Sequence, residues 1–207
     1  LDIKGYSGSR EFAVNFPFVP YQFIIMQKVF AEIRKHGNSG KHLSGGARSM
    51  LSGFQEAAQM IQESDEHALV PFYRFYDSVH TFLDSSIRNV IERCERAAAD
   101  GNGLEMQDVD VLKLLYLIRY IDQDIPSNLD NIVILMADDI RTDKVKLRSV
   151  IAESLNRLLS QNYIGRTNDT YNFLTDEEQD IQREIKTTNV DTAAIVGRIA
   201  QMIFADI

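Results

Sequence analysis

Apolar residues recur every three or four positions over most of the chain, so the pattern predicts helices. Phe23, Met26, Phe30 and Ile33 mark the first face. Pro20 opens it, where a missing N–H costs nothing, and Gly37 closes it. Met50, Leu51, Phe54, Ala58 and Ile61 mark a second helix from about Ser44 to Gln62. A third, longer helix starts at Pro71, with Phe72, Phe75, Tyr76, Val79, Phe82, Leu83, Val90, Ile91, Cys94 and Ala98 on one stripe. Residues 1–16 show no period and read as an irregular lead-in.

Asp100-Gly101-Asn102-Gly103 is the strongest turn signal in the chain, and the domain boundary is placed there. Beyond it the rhythm changes. Val109–Ile121 predicts a short helix with Val111, Leu114, Leu115, Ile118 and Ile121 inward. Leu129–Asp139 predicts another, with Ile132, Ile134 and Leu135 inward. Asp143 is placed to cap a third, whose inner face is Leu147, Val150, Ile151, Leu155, Leu158 and Leu159. Tyr163–Arg166 and Tyr171–Leu174 bracket an Asn-Asp turn and read as a β-hairpin. Thr175 and Glu178 form a capping box for a further helix. Three helices and a hairpin are the order of a winged helix, a helix-turn-helix variant carrying a β wing. The expected fold is mainly α: a helical region over 1–103, a winged-helix domain over 104–188, and an amphipathic helix over 189–207 that stops without a cap.

Composition narrows the class. Apolar residues make up 44% and charged residues 25% of the 207, which is ordinary for a soluble globular chain. No apolar run is long enough to span a bilayer and no leader is visible, so no membrane role is expected. The chain begins at Leu1 rather than methionine, which reads as a processed product or an excised fragment. The single cysteine, Cys94, lies on an apolar stripe and reads as a core residue in a reducing cytoplasm. The net charge of −8 argues against indiscriminate nucleic-acid binding. Its distribution says more. Residues 1–104 carry 11 basic and 12 acidic side chains, and residues 105–207 carry 11 and 18. Within that acidic half, Arg141, Lys144, Lys146, Arg148, Arg157 and Arg166 face only Asp143 and Glu153, a basic island of net +4.

The island coincides with the predicted third helix and wing. With the apolar face inward, the other side presents Lys146, Ser149, Asn156 and Arg157, with Glu153 among them, and Lys144 and Arg148 flank the start. Helix-turn-helix readers place such a helix in the major groove, and Arg166 on the wing is placed for a phosphate. Double-stranded DNA is therefore one candidate partner. The acidic neighbours Asp138, Asp139, Asp176, Glu177 and Glu178 favour protein docking or a scaffold instead. Metal and acid–base chemistry find little support: His36, His42, His67 and His80 are scattered, and Asp77 with His80 is one weak pair.

The other candidate site is Ser44-Gly45-Gly46-Ala47-Arg48. A glycine-softened helix start with an arginine one turn in suits a phosphate, because free N–H groups and the macrodipole both favour an anion. The plain alternative is a capped helix with an exposed arginine. A P-loop is absent: Gly40-Lys41 is followed by His42, and Lys35 occupies the position of the first glycine. Leu43-Ser44-Gly45-Gly46 resembles the ABC-type ATPase signature, but alanine stands where glutamine normally follows. The stretch from Arg48 to Ala58 resembles the second sensor of replication-initiator-type AAA+ ATPases, where a helical lid precedes a winged helix.

Phe16–Phe23, His42–Ser52, Pro71–Asp77 and Tyr171–Gln179 together resemble the large P-loop ATPase of the bacterial BREX phage-defence system. The resemblance touches most of residues 16–180. It implies a cytoplasmic defence ATPase much longer than this chain, with its Walker motifs upstream. ATP would bind in the intact parent and not in this fragment, which is expected to be non-catalytic. Other defence-system subunits, and further copies through the ATPase core, are the implied partners. Arg48 carries over as the nucleotide sensor, supported by Ser44, Gly45 and Gly46. The competing expectation is a stand-alone helical and winged-helix interaction scaffold with no nucleotide dependence.

Overall fold

The computed structural model describes residues 3–36, 46–80 and 83–187, with residues 46–49 described by backbone alone. Among these the chain is mainly helical: nine α-helices and one small antiparallel hairpin near the end. The helices are α1 (Ser9–Asn15), α2 (Pro20–His36), α3 (Gly46–Gln59), α4 (Tyr76–Val79), α5 (Ser85–Ala99), α6 (Met106–Ile118), α7 (Leu129–Met136), α8 (Lys144–Ser160) and α9 (Asp176–Thr187). The strands β1 (Ile164–Thr167) and β2 (Thr170–Phe173) pair in the register Ile164–Phe173 to Thr167–Thr170. Asn168 takes the left-handed conformation at the turn, which asparagine tolerates well.

Helix α6 is the centre. Val109, Val111, Leu112, Leu114, Leu115, Tyr116, Leu117 and Ile118 are all buried, so it buries apolar residues on nearly every side, with Asp108, Asp110 and Lys113 as its polar exceptions. Helices α5, α7 and α8, strand β2 and the 3₁₀ turn Phe72–Phe75 pack around it. A ring cluster extends the core toward α2 and α3: Phe54 lies 4.9 Å from Phe75, 4.8 Å from Phe23 and 5.0 Å from Phe18, centroid to centroid. Cys94 is fully buried, and burial pushes its thiol up to about 12. No helix among the described residues is long and apolar enough to cross a membrane.

The first predicted helix matches α2 end to end. The hairpin, the Asp143 cap and the capping box of α9 also stand where the sequence places them. Asp143 accepts from the Val145 and Lys146 amides at 2.9 and 3.2 Å, and Thr175 accepts from the Glu178 amide at 3.3 Å. Three expectations fail. Residues 9–15 form a helix, α1, on which Tyr6 meets Phe12 edge to face and Phe12 lies tilted against Phe16 (centroids 5.1 and 4.9 Å apart). The long helix from Pro71 is broken. It starts as a 3₁₀ turn, and after α4 the Asp84 carboxylate accepts from the Ser86 amide at 2.9 Å and starts α5 afresh. The helix from Leu129 stops at Met136 rather than Asp139, because Leu69 donates to the Asp138 carbonyl at 2.8 Å and Ile140 to the His67 carbonyl at 3.0 Å. That extended contact ties the two halves together. The turn at 100–103 is present, with Gly101 and Gly103 at φ of 67° and 76°. The buried apolar cluster nevertheless runs through it from Val19 to Phe173. Phe82, His42 to Gly45 and the predicted helix at Asp191–Ile207 lie outside the described residues.

The centrality of α6 is testable. Leu115→Ala removes a side chain with 1% exposure and should cost about 3 kcal/mol of unfolding free energy by urea denaturation. The exposed Asn172→Ala should stay within about 0.5 kcal/mol of the parent.

Candidate functional site

Helix α8 is seated by apolar contacts and one polar anchor. Ile151, Leu155 and Leu158 are fully buried. Beside them the Asp108 carboxylate, also fully buried, receives four donors. Ser154 Oγ and Arg157 Nη2 reach Oδ1 at 2.5 and 2.8 Å. Arg157 Nε and the Glu105 amide reach Oδ2 at 2.8 and 2.9 Å. A carboxylate has about four acceptor positions, so every one is used. This network fixes the rotation of α8 about its axis, leaving Lys146, Ser149, Glu153 and Asn156 on the exposed side.

The basic island then separates into two groups. Arg157, which helical spacing places outward, turns inward to Asp108 and lies 3.3 Å from Glu105. Arg148 is exposed but paired with Asp130. Arg141 is bound by Asp139 and Asp65, each at 2.8 Å. Lys144 and Lys146 are exposed on the first turn of α8 and form no ion pair among the described residues. Arg166 is exposed on the hairpin, donating to the Asn168 carbonyl at 2.9 Å and lying over Tyr171 at 5.4 Å. Strand β1 packs on α8. The surface that remains is Lys144, Lys146, Arg148 and Ser149 near the start of α8, Asn156 two turns on, and Arg166 on the hairpin whose first strand packs on α8.

The residues that the sequence marks as a candidate phosphate site are only partly described. Gly46 opens α3, and Arg48 falls in its first turn, but the Arg48 side chain lies outside the described residues, as do Ser44 and Gly45. Gly53, one turn further on, allows a close approach to α4, since a Cβ there would lie 3.1 Å from Ser78 Cβ. The described histidines, His36, His67 and His80, form no cluster. His36 stacks on Tyr120 at 4.4 Å, and His80 contacts the Asp77 backbone carbonyl rather than its carboxylate. No group of three potential metal ligands occurs among the described residues.

Sequence reasoning passed over two acids on α6. Asp108 resembles an ordinary first-turn acid, and only its distant partners reveal its role. Asp110 is half-buried near Tyr73, and burial pushes its carboxyl up to about 6 against the opposing pull of Lys113, Arg74 and the Tyr73 hydroxyl. An acid whose folded pKa lies above the ordinary value of about 3.9 holds its proton longer in the native state. Stability therefore falls as pH rises from about 4 to 6.

Two outcomes follow from these acids. Asp108→Ala leaves the Arg157 guanidinium, a quarter exposed, with only the exposed Glu105 as counter-charge and Ser154 without its acceptor, and should cost about 3 kcal/mol by urea denaturation. Asp110→Asn should flatten the loss of Tm expected of the parent between pH 4.5 and 7, each melt being read by circular dichroism at both pH values. No protein-family model matches the chain, and no solved structure matches it.

Proposed function

We propose that this chain is a non-catalytic lid and winged-helix segment of a BREX-type phage-defence ATPase. It would relay the nucleotide state of a core outside the chain to DNA or to a partner subunit. The observation that carries the reading is the exposed outer side of α8, beside a hairpin, after two helices that pack with it. That is the arrangement in which helix-turn-helix proteins offer a recognition helix. Lys144 and Lys146 at its first turn, Ser149 and Asn156 along it, and Arg166 on the wing supply donors for phosphates and base edges. Arg148 and Arg157 belong to the same helix but are occupied by Asp130 and Asp108, which limits them to supporting roles.

The helical region serves as the lid in this reading. Arg48, in the first turn of α3, would fork onto the γ-phosphate of ATP held by the parent, and loss of that phosphate would remove the contact. The cytoplasm is the compartment implied, and oligomerisation would run through the ATPase core.

A protein partner is the second reading, favoured by Val145. This side chain is 80% exposed in the same turn as Lys144 and Lys146. An apolar residue amid cations, with Glu153 nearby, suits a protein surface better than a phosphate backbone.

Fluorescence anisotropy on a short duplex separates the two. With Lys144, Lys146 and Arg166 as three phosphate contacts, the slope of log K against log salt should be about −2.7. Replacing Lys144 and Lys146 by alanine should reduce that slope by about 2. Absence of binding at low salt contradicts the DNA reading and leaves the partner reading. For the lid, Arg48→Ala in the intact ATPase should lower hydrolysis while the Tm of the 207-residue chain is kept. Unchanged turnover contradicts it.

A further inference from the structure

A cavity of about 300 Å³ lies between the first residues of the chain, the start of α2 and the α7–α8 junction. Its wall includes Ile3, Tyr6, Tyr21, Val133, Ile134 and Leu147, and it is mostly apolar. The polar groups on that wall are almost all committed. Tyr6 donates its hydroxyl to the Phe18 carbonyl at 2.9 Å, and Tyr21 donates to the Ile134 carbonyl at 3.3 Å. Thr142 donates to the Asp139 carbonyl at 2.7 Å. The Asp139 carboxylate is clasped by Arg141 through Nε at 3.1 Å and Nη2 at 2.8 Å, which with the Arg141 amide holds its pKa down to about 2. Arg141 is in turn shared with Asp65 at 2.8 Å. Lys144 is the one charged group on the wall with no counter-charge among the described residues.

We propose that this cavity binds a small apolar monocarboxylate, an aryl acid or a medium-chain alkyl acid, with Lys144 as its counter-ion. The volume is at the lower end of small-molecule sites, and an apolar lining with one orienting polar group is their usual chemistry. The charge arithmetic selects the ligand. A cationic ligand would meet an acid already neutralised by Arg141 and an opposing ammonium. A neutral one would leave Lys144 without a partner. An anion gains a charge-assisted contact while its body displaces water from the apolar wall. The proposal does not require the DNA or partner reading, but it shares Lys144 with both, so the variant that separates them is the one at Ala137, which lines the cavity alone.

The test is an amide-shift NMR titration of the 207-residue chain with octanoate, using 1-octanol and octylamine as controls. Octanoate should shift residues of the cavity wall and bind about tenfold more tightly than octanol, with octylamine weaker still. Lys144→Met, at an exposed position, should bring octanoate down to the octanol level. Ala137→Leu, which fills the cavity from its wall, should abolish binding of octanoate and leave duplex binding unaltered. Thermal melts show whether each variant is folded. No shift at the wall with millimolar octanoate overturns the proposal. So does equal binding of octylamine, or undiminished octanoate binding by Lys144→Met.

Discussion

The buried Asp108 carboxylate is the constraint on which the outer surface depends. It sits in the first turn of α6, the helix around which the others pack, and it holds Ser154 and Arg157 of α8. Apolar contacts alone let a helix rotate by part of a turn with little penalty. A carboxylate with all its acceptor positions filled does not, since any rotation leaves a buried charge short of donors. The face that α8 shows to solvent is therefore decided in the core. The same logic operates at the other end of the hairpin. Arg119 reaches the Phe173 carbonyl at 3.2 Å and Glu178 at 2.8 Å, and Arg93 reaches Asp176 at 2.7 Å. These contacts fix β2 and α9 against α5 and α6.

Charge is spent mostly inside the molecule. Of the six cations in the island, Arg141, Arg148 and Arg157 are paired with acids from other elements. Two of those acids, Asp65 and Asp108, lie 76 and 49 residues away in sequence. The residual positive surface is Lys144, Lys146 and Arg166. It is small enough that any nucleic-acid contact would be modest and salt-sensitive. In an acidic chain this is a more selective arrangement than a broad basic face.

What was legible in the sequence was local chemistry. Asp143, Thr175 with Glu178, Pro20 and the Asn168 turn act within a few residues, so their effects can be read without a fold. The apolar stripes of α2, α6 and α8 were readable for the same reason. The break between α4 and α5 was hidden because the stripe continues across it from Val79 to Leu83 and Ile87, and only the Asp84 cap shows the interruption. Helix α1 was hidden because it is two turns long and buries no residue, and only the contacts of Tyr6, Phe12 and Phe16 mark it. The candidate surface was half legible. Its cations could be counted, but the inward turn of Arg157 depends on an acid from another helix. The cavity beside Lys144 was not legible at all, since its wall is assembled from the chain start, α2 and the α7–α8 junction.

The central claim is that the outer side of α8 and the adjacent hairpin form one working surface. Backbone amide-shift mapping with a short DNA duplex at low salt tests it most directly. The account predicts shifts concentrated at residues 144–149 and 165–169, with α9 and α3 unmoved. Shifts confined to α3 or α9 would contradict it, and a spectrum unchanged by excess duplex would contradict its DNA reading.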